Sequence, residues 1–328
     1  RDRFTMASGI DFDVHAIEGE EELSRKDQKQ IWVFGTSRSV AFARAPTVLD
    51  ISEAPELSNE QRQQLARYRI YSFSMFAAVP AVYLHHYLYL RERGYRPDLV
   101  WIEVSAFAFN KNYSLRNNFI AEVSPDAFIL QHLNQYHPRF LQEWLMSRLF
   151  VGSVFPPVLR DERTRSLHEA LNPLSYSGIS LNRPTSRTTE REKDRSITEF
   201  PDMSSSPEYR LMLQYIYGEG FLRDYAVDRT AVDSLEFLIA ELEREGIPFV
   251  LWTPPVHPSM TQLEREYGVD EPFVSVVDHL KRSHRPYIHV KADEMNCRLF
   301  SDESHLAEIC FAELAARLLS FSYYRQSP

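Results

Sequence analysis

Ile31-Trp32-Val33-Phe34 is an apolar, β-prone run that stops abruptly at Gly35-Thr36-Ser37. A strand apolar on both faces belongs inside a parallel sheet covered by helices above and below, so this run constrains the architecture more than any other feature. The chain then alternates accordingly. Ser58-Asn59-Glu60-Gln61 has the pattern of a capping box and opens a short helix. Arg69 to Met75 is predicted as a second strand, Pro80 suits the first turn of a helix ending near Gly94, and Pro97 precedes a third strand through Val104. Further on, Val232, Leu235, Leu238, Ile239 and Leu242 follow helical spacing in a helix from about Thr230 to Glu245. Gly246 ends it, Ile247 to Trp252 is a fourth strand and Tyr287 to Val290 a short fifth. The expected fold is a three-layer α/β/α core around a central, mostly parallel five-stranded sheet.

From Asn110 to about Asp228 the alternation lapses. Ser124-Pro125 and His137-Pro138 read as helix starts, and the stretch 175–207, rich in Ser, Thr, Arg and Glu, reads as a flexible loop. The expected organisation is a polar lead-in over residues 1–30, an α/β core formed by 31–110 and 229–328, and a mainly helical insertion over 111–228.

The formal charge is −9 with no long basic run, which argues against a nucleic-acid partner, because phosphate recognition needs a concentrated Lys/Arg surface. Aromatic residues make up 13% of the chain; that suits a carbohydrate-facing cleft, but an ordinary large core is the weightier explanation. No stretch approaches the ~20 apolar residues that span a bilayer. The chain opens at Arg1 and not at Met, so a removed amino-terminal signal or anchor is compatible with it. No metal-ligand spacing, Walker loop or dinucleotide fingerprint occurs. Cys297 and Cys310 could bridge in an oxidising compartment, yet Cys310 falls on the apolar stripe Leu306, Cys310, Leu314, Leu318, and a buried thiol is the expectation.

Chemistry is suggested by two segments at opposite ends. Ser37 would be delivered to the carboxyl edge of the sheet, where open α/β folds place their sites. Near the finish, Ser301-Asp302-Glu303-Ser304-His305 sets a carboxylate and an imidazole three residues apart at a loop-to-helix junction. Ser37 would be a nucleophile, His305 its base and Asp302 the group that orients the ring. Each segment alone reads more readily as a turn with a Ser, Thr or Asp cap; their order, with strand and helix alternating between them, favours the catalytic assignment.

This layout resembles the SGNH (GDSL-like) serine hydrolases, and in particular their bacterial extracytoplasmic branch with Gly-(Ser/Thr)-Ser, which includes DltD-like and alginate-acetylation-like proteins. The resemblance implies a flavodoxin-like core and a Ser37–His305–Asp302 triad. It further implies esterase or O-acyltransferase activity on acyl esters of a glycan or cell-envelope polymer, without metal or cofactor. A periplasmic or extracytoplasmic location follows, with anchoring through a removed segment and a membrane-bound acyl-transfer partner. The family's second block falls on Ser72 to Ala77, so Ala77 stands where a glycine is usual and would lend a backbone N–H to the oxyanion. In the third block Phe107 occupies the place of the expected Asn, with Asn110 three residues later as a substitute. An inactive, glycan- or envelope-binding protein of the same fold is the alternative. Arg38 could hold an anionic substrate group or form a structural ion pair. His257 could line the cleft or belong only to the Pro-rich turn Pro254 to Pro258. His85 and His86, adjacent on one helix, diverge too much to share a metal.

Overall fold

Strand β1 (Lys29–Phe34) sends Ile31 and Val33 into one hydrophobic core and Trp32 and Phe34 into another. Burial on both faces requires a strand at each edge and helices on each side. In this computed structural model, which describes residues 23, 28–44, 57–75, 77–113, 126–149, 210–211, 213–282, 284–300 and 302–326, both conditions are met. β2 (Tyr68–Ser72) pairs with one edge of β1 and β3 (Leu99–Glu103) with the other. β4 (Phe249–Thr253) and β5 (Tyr287–His289) extend the sheet beyond β3. All four pairings are parallel, in the order β2-β1-β3-β4-β5, where the sequence reading asked only for a mostly parallel sheet. Because the order reverses between β1 and β3, the loops leaving these two strands part and open a crevice at their carboxyl ends.

The helices in chain order are α1 (Asn59–Leu65), α2 (Pro80–Glu92), α3 (Asp126–Gln131), α4 (Pro138–Leu149), α5 (Arg229–Glu245), α6 (Pro258–Glu266), α7 (Asp270–Lys281) and α8 (Phe311–Gln326). α2 and α5 cover Trp32, Phe34 and Ile102 on one face; α1 and α8 cover Ile31, Trp101 and Trp252 on the other. Their ends follow local chemistry. Ser58 and Gln61 form a reciprocal capping box on α1, and Pro80 sits in the first turn of α2. Asp228 caps α5, which Gly246 closes at φ 64°, a left-handed conformation that glycine tolerates without a Cβ penalty.

β2 stops at Ser72, short of Met75. Beyond Ser72 the chain leaves the ladder, Phe73 N–H still donating to Val33 O at 2.8 Å and Met75 N–H to Gly35 O at 3.1 Å, so it crosses the end of β1. The insertion begins and ends at one neck. Asn110 and Val227 form an isolated antiparallel bridge, reinforced by Lys111 N–H to Ala226 O at 2.7 Å and Asp228 N–H to Phe109 O at 2.8 Å. Within it α3, α4 and a π-helix (Gln214–Leu222) are described. The predicted loop 175–207, Ser124-Pro125, and the lead-in apart from Leu23 and residues 28–30 lie outside the described residues.

α2 carries His85 and His86, both buried. His85 Nδ1 meets Tyr136 Oη at 3.1 Å, while His86 Nδ1 donates to Phe73 O at 3.0 Å and so ties the crossing segment to the helix. Burial holds the His86 imidazole down at about 4, with the Phe73 carbonyl opposing part of that shift, and burial depresses His85 too. An unfolded histidine takes up its proton below about 6.5, whereas the folded His86 does so only near 4. Stability from this group is therefore complete above the unfolded value and falls as pH drops through that window, by ~3 kcal/mol for His86 alone. Urea unfolding midpoints between pH 7.5 and 4.5 are expected to decline accordingly, and to decline less in His86→Gln. Equal declines in the two proteins would contradict the assignment.

Candidate functional site

The turn after β1 is shaped by a buried acid. The β1–β3 register sets Phe34 beside Ile102, which brings Glu103 under Gly35 and Thr36. The Glu103 carboxylate is 0% exposed. It accepts hydrogen bonds from Thr36 N–H at 2.9 Å and Thr36 Oγ1 at 2.6 Å, and short ones from the Ser39 and Ser105 hydroxyls. Four donors on one carboxylate offset the desolvation that a lone buried charge would suffer. A Cβ on Gly35 would lie 2.5 Å from Glu103 Oε2 and 2.6 Å from Ser39 Oγ, so the residue must be glycine for the acid to approach. Nothing in the sequence reading singled out Glu103, although an acidic residue ending the apolar run Leu99 to Ile102 was a usable signal.

From this turn a 3₁₀ run, Ser37–Arg44, projects Ser37 into the crevice. His305 Nε2 lies 2.7 Å from Ser37 Oγ, and His305 Nδ1 lies 2.7 and 2.8 Å from the two Asp302 oxygens. A carboxylate only accepts, so Nδ1 carries the proton and Nε2 presents its lone pair to the serine hydroxyl. Asp302 also accepts from the N–H groups of Ser304 and His305, at 2.8 and 2.9 Å, which fixes the loop that carries both residues. Ser37 and His305 are both half-buried, so the pair remains open to solvent.

The loop is held at its neck and its tip. At the neck Cys297 and Cys310 form a disulfide with Cα atoms 5.3 Å apart, Phe300 bridges Leu306, and Glu313 accepts from the N–H groups of Asn296 and Cys297. This corrects the expectation of a buried thiol. Leu306 lies outside the last helix, which begins only at Phe311 after a 3₁₀ turn (Glu308–Cys310), so the returning loop lays Cys297 against Cys310 and not a helical stripe. At the tip Arg38 Nε donates to Ser304 Oγ at 2.8 Å, and His257 N–H donates to Glu303 O at 3.0 Å.

The remaining predicted residues sit as follows. Arg38 is 4% exposed, makes no ion pair among the described residues, donates from Nη1 to Ser105 Oγ at 3.3 Å, and lies 5.2 Å above the Phe107 ring. Glu264 on α6 is within its electrostatic reach, and burial pushes that carboxyl up. Ala77 is buried at φ 57°, a left-handed conformation costing a residue with a Cβ ~1–2 kcal/mol and natural to glycine. Asn110 does not face the serine. Its Nδ2 donates to Phe221 O at 2.9 Å and Arg223 O at 3.3 Å, while Oδ1 accepts from Asn112 and Ala226 N–H, so the side chain is spent on the insertion's neck. His257 is the N-cap of α6, its Nδ1 2.7 Å from Ser259 Oγ, and its ring stands edge-on to Phe300 behind the Asp302 loop. Phe107 packs against Tyr113 and Phe221 where the resembled family has an Asn. Among the described residues no group of His, Cys, Asp or Glu could hold a metal ion, and no helix is long and apolar enough to cross a membrane.

The protein is thus a parallel α/β sheet with a serine, a histidine and an aspartate in hydrogen-bonded sequence at its switch point. A family described as "Protein of unknown function (DUF1574)" matches residues 9–321, and the chain belongs to it. No curated protein and no solved structure matches the chain.

Gly35→Ala is expected to lower stability by about 1–3 kcal/mol, since the new methyl must displace a buried carboxylate and not a flexible chain end. Chemical denaturation measures it, and an unchanged midpoint would show that Glu103 does not hold this turn.

Proposed function

We propose that this protein is a serine ester hydrolase or O-acyltransferase of SGNH-like type. The observation that carries the reading is the unbroken hydrogen-bond series from Ser37 Oγ through the His305 ring to Asp302 at the carboxyl edge of β1. His305 Nε2 takes the hydroxyl proton as Ser37 Oγ bonds to the carbonyl carbon of an ester. Collapse of the tetrahedral intermediate expels the alcohol, which receives that proton from His305. Water or a sugar hydroxyl then attacks the acyl-serine, with His305 again as the base. The backbone N–H groups of Ser37 and Ala77 are the candidate donors to the oxyanion, and no step calls for a metal or cofactor.

The substrate class, acyl esters of a glycan or cell-envelope polymer, and a membrane-bound transfer partner rest on the SGNH resemblance. A disulfide is at home in an oxidising compartment, which favours a periplasmic or extracytoplasmic location. Phe107 supports a second reading, a glycan- or envelope-binding protein without activity, because an aromatic ring fills the place of a side-chain oxyanion donor.

A fluorophosphonate probe is expected to label the parent at Ser37, as peptide mapping would show, and to leave Ser37→Ala unlabelled with a Tm close to the parent's. His305→Ala should also suppress labelling, because the serine loses its base. A parent that stays unlabelled where a known serine esterase reacts would favour the binding protein.

A further inference from the structure

Among the described residues, Arg38 Nη2 and the Tyr83 hydroxyl are two of several buried polar atoms without a hydrogen-bond partner. Arg38 is 4% exposed and Tyr83 0%. Leaving a buried donor unpaired costs ~1–3 kcal/mol, and more for a charged one, so an acceptor supplied by a ligand would relieve that cost. Both groups belong to one neighbourhood. The Arg38 guanidinium lies over Phe107, Phe107 meets Tyr113 with ring centroids 5.7 Å apart, and Tyr113 Oη donates to Ala77 O at 3.1 Å. Tyr83, on α2, is within electrostatic reach of Arg38, Glu103 and Tyr113.

The chemistry of both groups suits an anion. Burial, with Glu103 and Tyr113 adding to it and Arg38 opposing, raises the Tyr83 phenol well above its ordinary value, so it stays a neutral donor. Burial raises the Glu264 carboxyl on α6, with Arg38, within electrostatic reach, opposing the shift. The Arg38 guanidinium meets Glu103 through the Ser105 hydroxyl, and Glu103 accepts from four donors of its own. The guanidinium is held in one orientation by Ser304 and Ser105 and keeps Nη2 spare. Phe107 supplies the ring beneath it in place of an amide.

Building on the assignment of Ser37 as nucleophile, we propose that Arg38 Nη2 and the Tyr83 hydroxyl receive the oxyanion formed when Ser37 attacks an ester carbonyl, taking over from the amide donor that Phe107 displaces. The carbon that carries the oxyanion would be bonded to Ser37 Oγ, and Arg38, the next residue in the chain, donates to Ser304 beside His305. The negative charge that develops on that oxygen pairs with a cation already dehydrated and aimed, so little reorganisation accompanies the step.

Tyr83→Phe is the decisive variant. It removes a hydroxyl with no partner, so the folded protein should be as stable as the parent or more so. A merely structural residue would not lower turnover under those conditions. Hydrolysis of p-nitrophenyl acetate, a neutral ester, and the rate of fluorophosphonate labelling at Ser37 are measured for the parent, Tyr83→Phe and Arg38→Lys. The expected result is a fall in kcat of about 10–100-fold in each variant with KM changed less than about twofold, as loss of an oxyanion donor produces. A Tyr83→Phe protein with the parent's kcat and labelling rate overturns the proposal, whether or not Arg38→Lys folds. So does an effect that appears only in KM, and only for esters bearing a carboxylate, which would make this a site for a substrate anion. A parent unlabelled at Ser37 removes the nucleophile assignment itself, a result distinct from a labelled parent with unaffected variants.

Discussion

The Glu103 carboxylate, buried at the end of β3 and surrounded by donors from Thr36, Ser39 and Ser105, is the interaction on which the site depends. It joins the ends of the two strands that flank the switch point, and it does so across Gly35, where any side chain would block it. The turn that presents Ser37 is thus set by a buried acid bonded to Thr36, Ser39 and Ser105. Apolar packing alone would bury β1 without fixing the direction of the residue after it; the carboxylate, with directional bonds to a backbone N–H and three hydroxyls, does fix it.

A second set of contacts carries that order to the other end of the chain. Ser105 donates to Glu103 and accepts from Arg38, and Arg38 donates to Ser304, so hydrogen bonds run from the serine turn to the loop of Asp302 and His305. The same loop is closed behind by the Cys297–Cys310 disulfide, which in the chain-entropy account contributes ~3 kcal/mol for a loop of this length. His305 is therefore held from both sides, by a covalent neck and a hydrogen-bonded tip. The 2.7 Å approach of its Nε2 to Ser37 is the outcome of these constraints acting on segments 268 residues apart.

What could be read from the sequence follows physical range. The three central strands, β1, β3 and β4, were legible because each is a short apolar run bounded by Gly, Pro or polar residues, and the helix ends because caps such as Ser58 and Gly246 act locally. Ser37, Asp302 and His305 were legible because strand-end and i,i+3 relations are local too. The role of Glu103 was not, since it depends on β1–β3 register and on the space left by Gly35. Asn110 was read as a helper to the oxyanion from the resemblance, three residues past the place of the family's Asn; its amide instead closes the neck formed when the chain returns at Phe221 to Val227. The disulfide was missed for the same reason: helical periodicity placed Cys310 in a core stripe, whereas the chain reversal between Phe300 and Leu306 decided its partner.

If the buried acid positions Ser37, replacing it by its near-isosteric amide should slow reaction at Ser37 while leaving the hydrophobic cores in place. Glu103→Gln replaces one acceptor oxygen with an NH₂ group that faces hydroxyl donors. The most direct measurement is the rate at which a fluorophosphonate labels Ser37 in Glu103→Gln relative to the parent, with both proteins verified as folded by near-UV circular dichroism. The account predicts that labelling slows by about 100-fold or more, the order associated with misplacing a catalytic group by an ångström. A folded Glu103→Gln protein labelled at the parent's rate would contradict it.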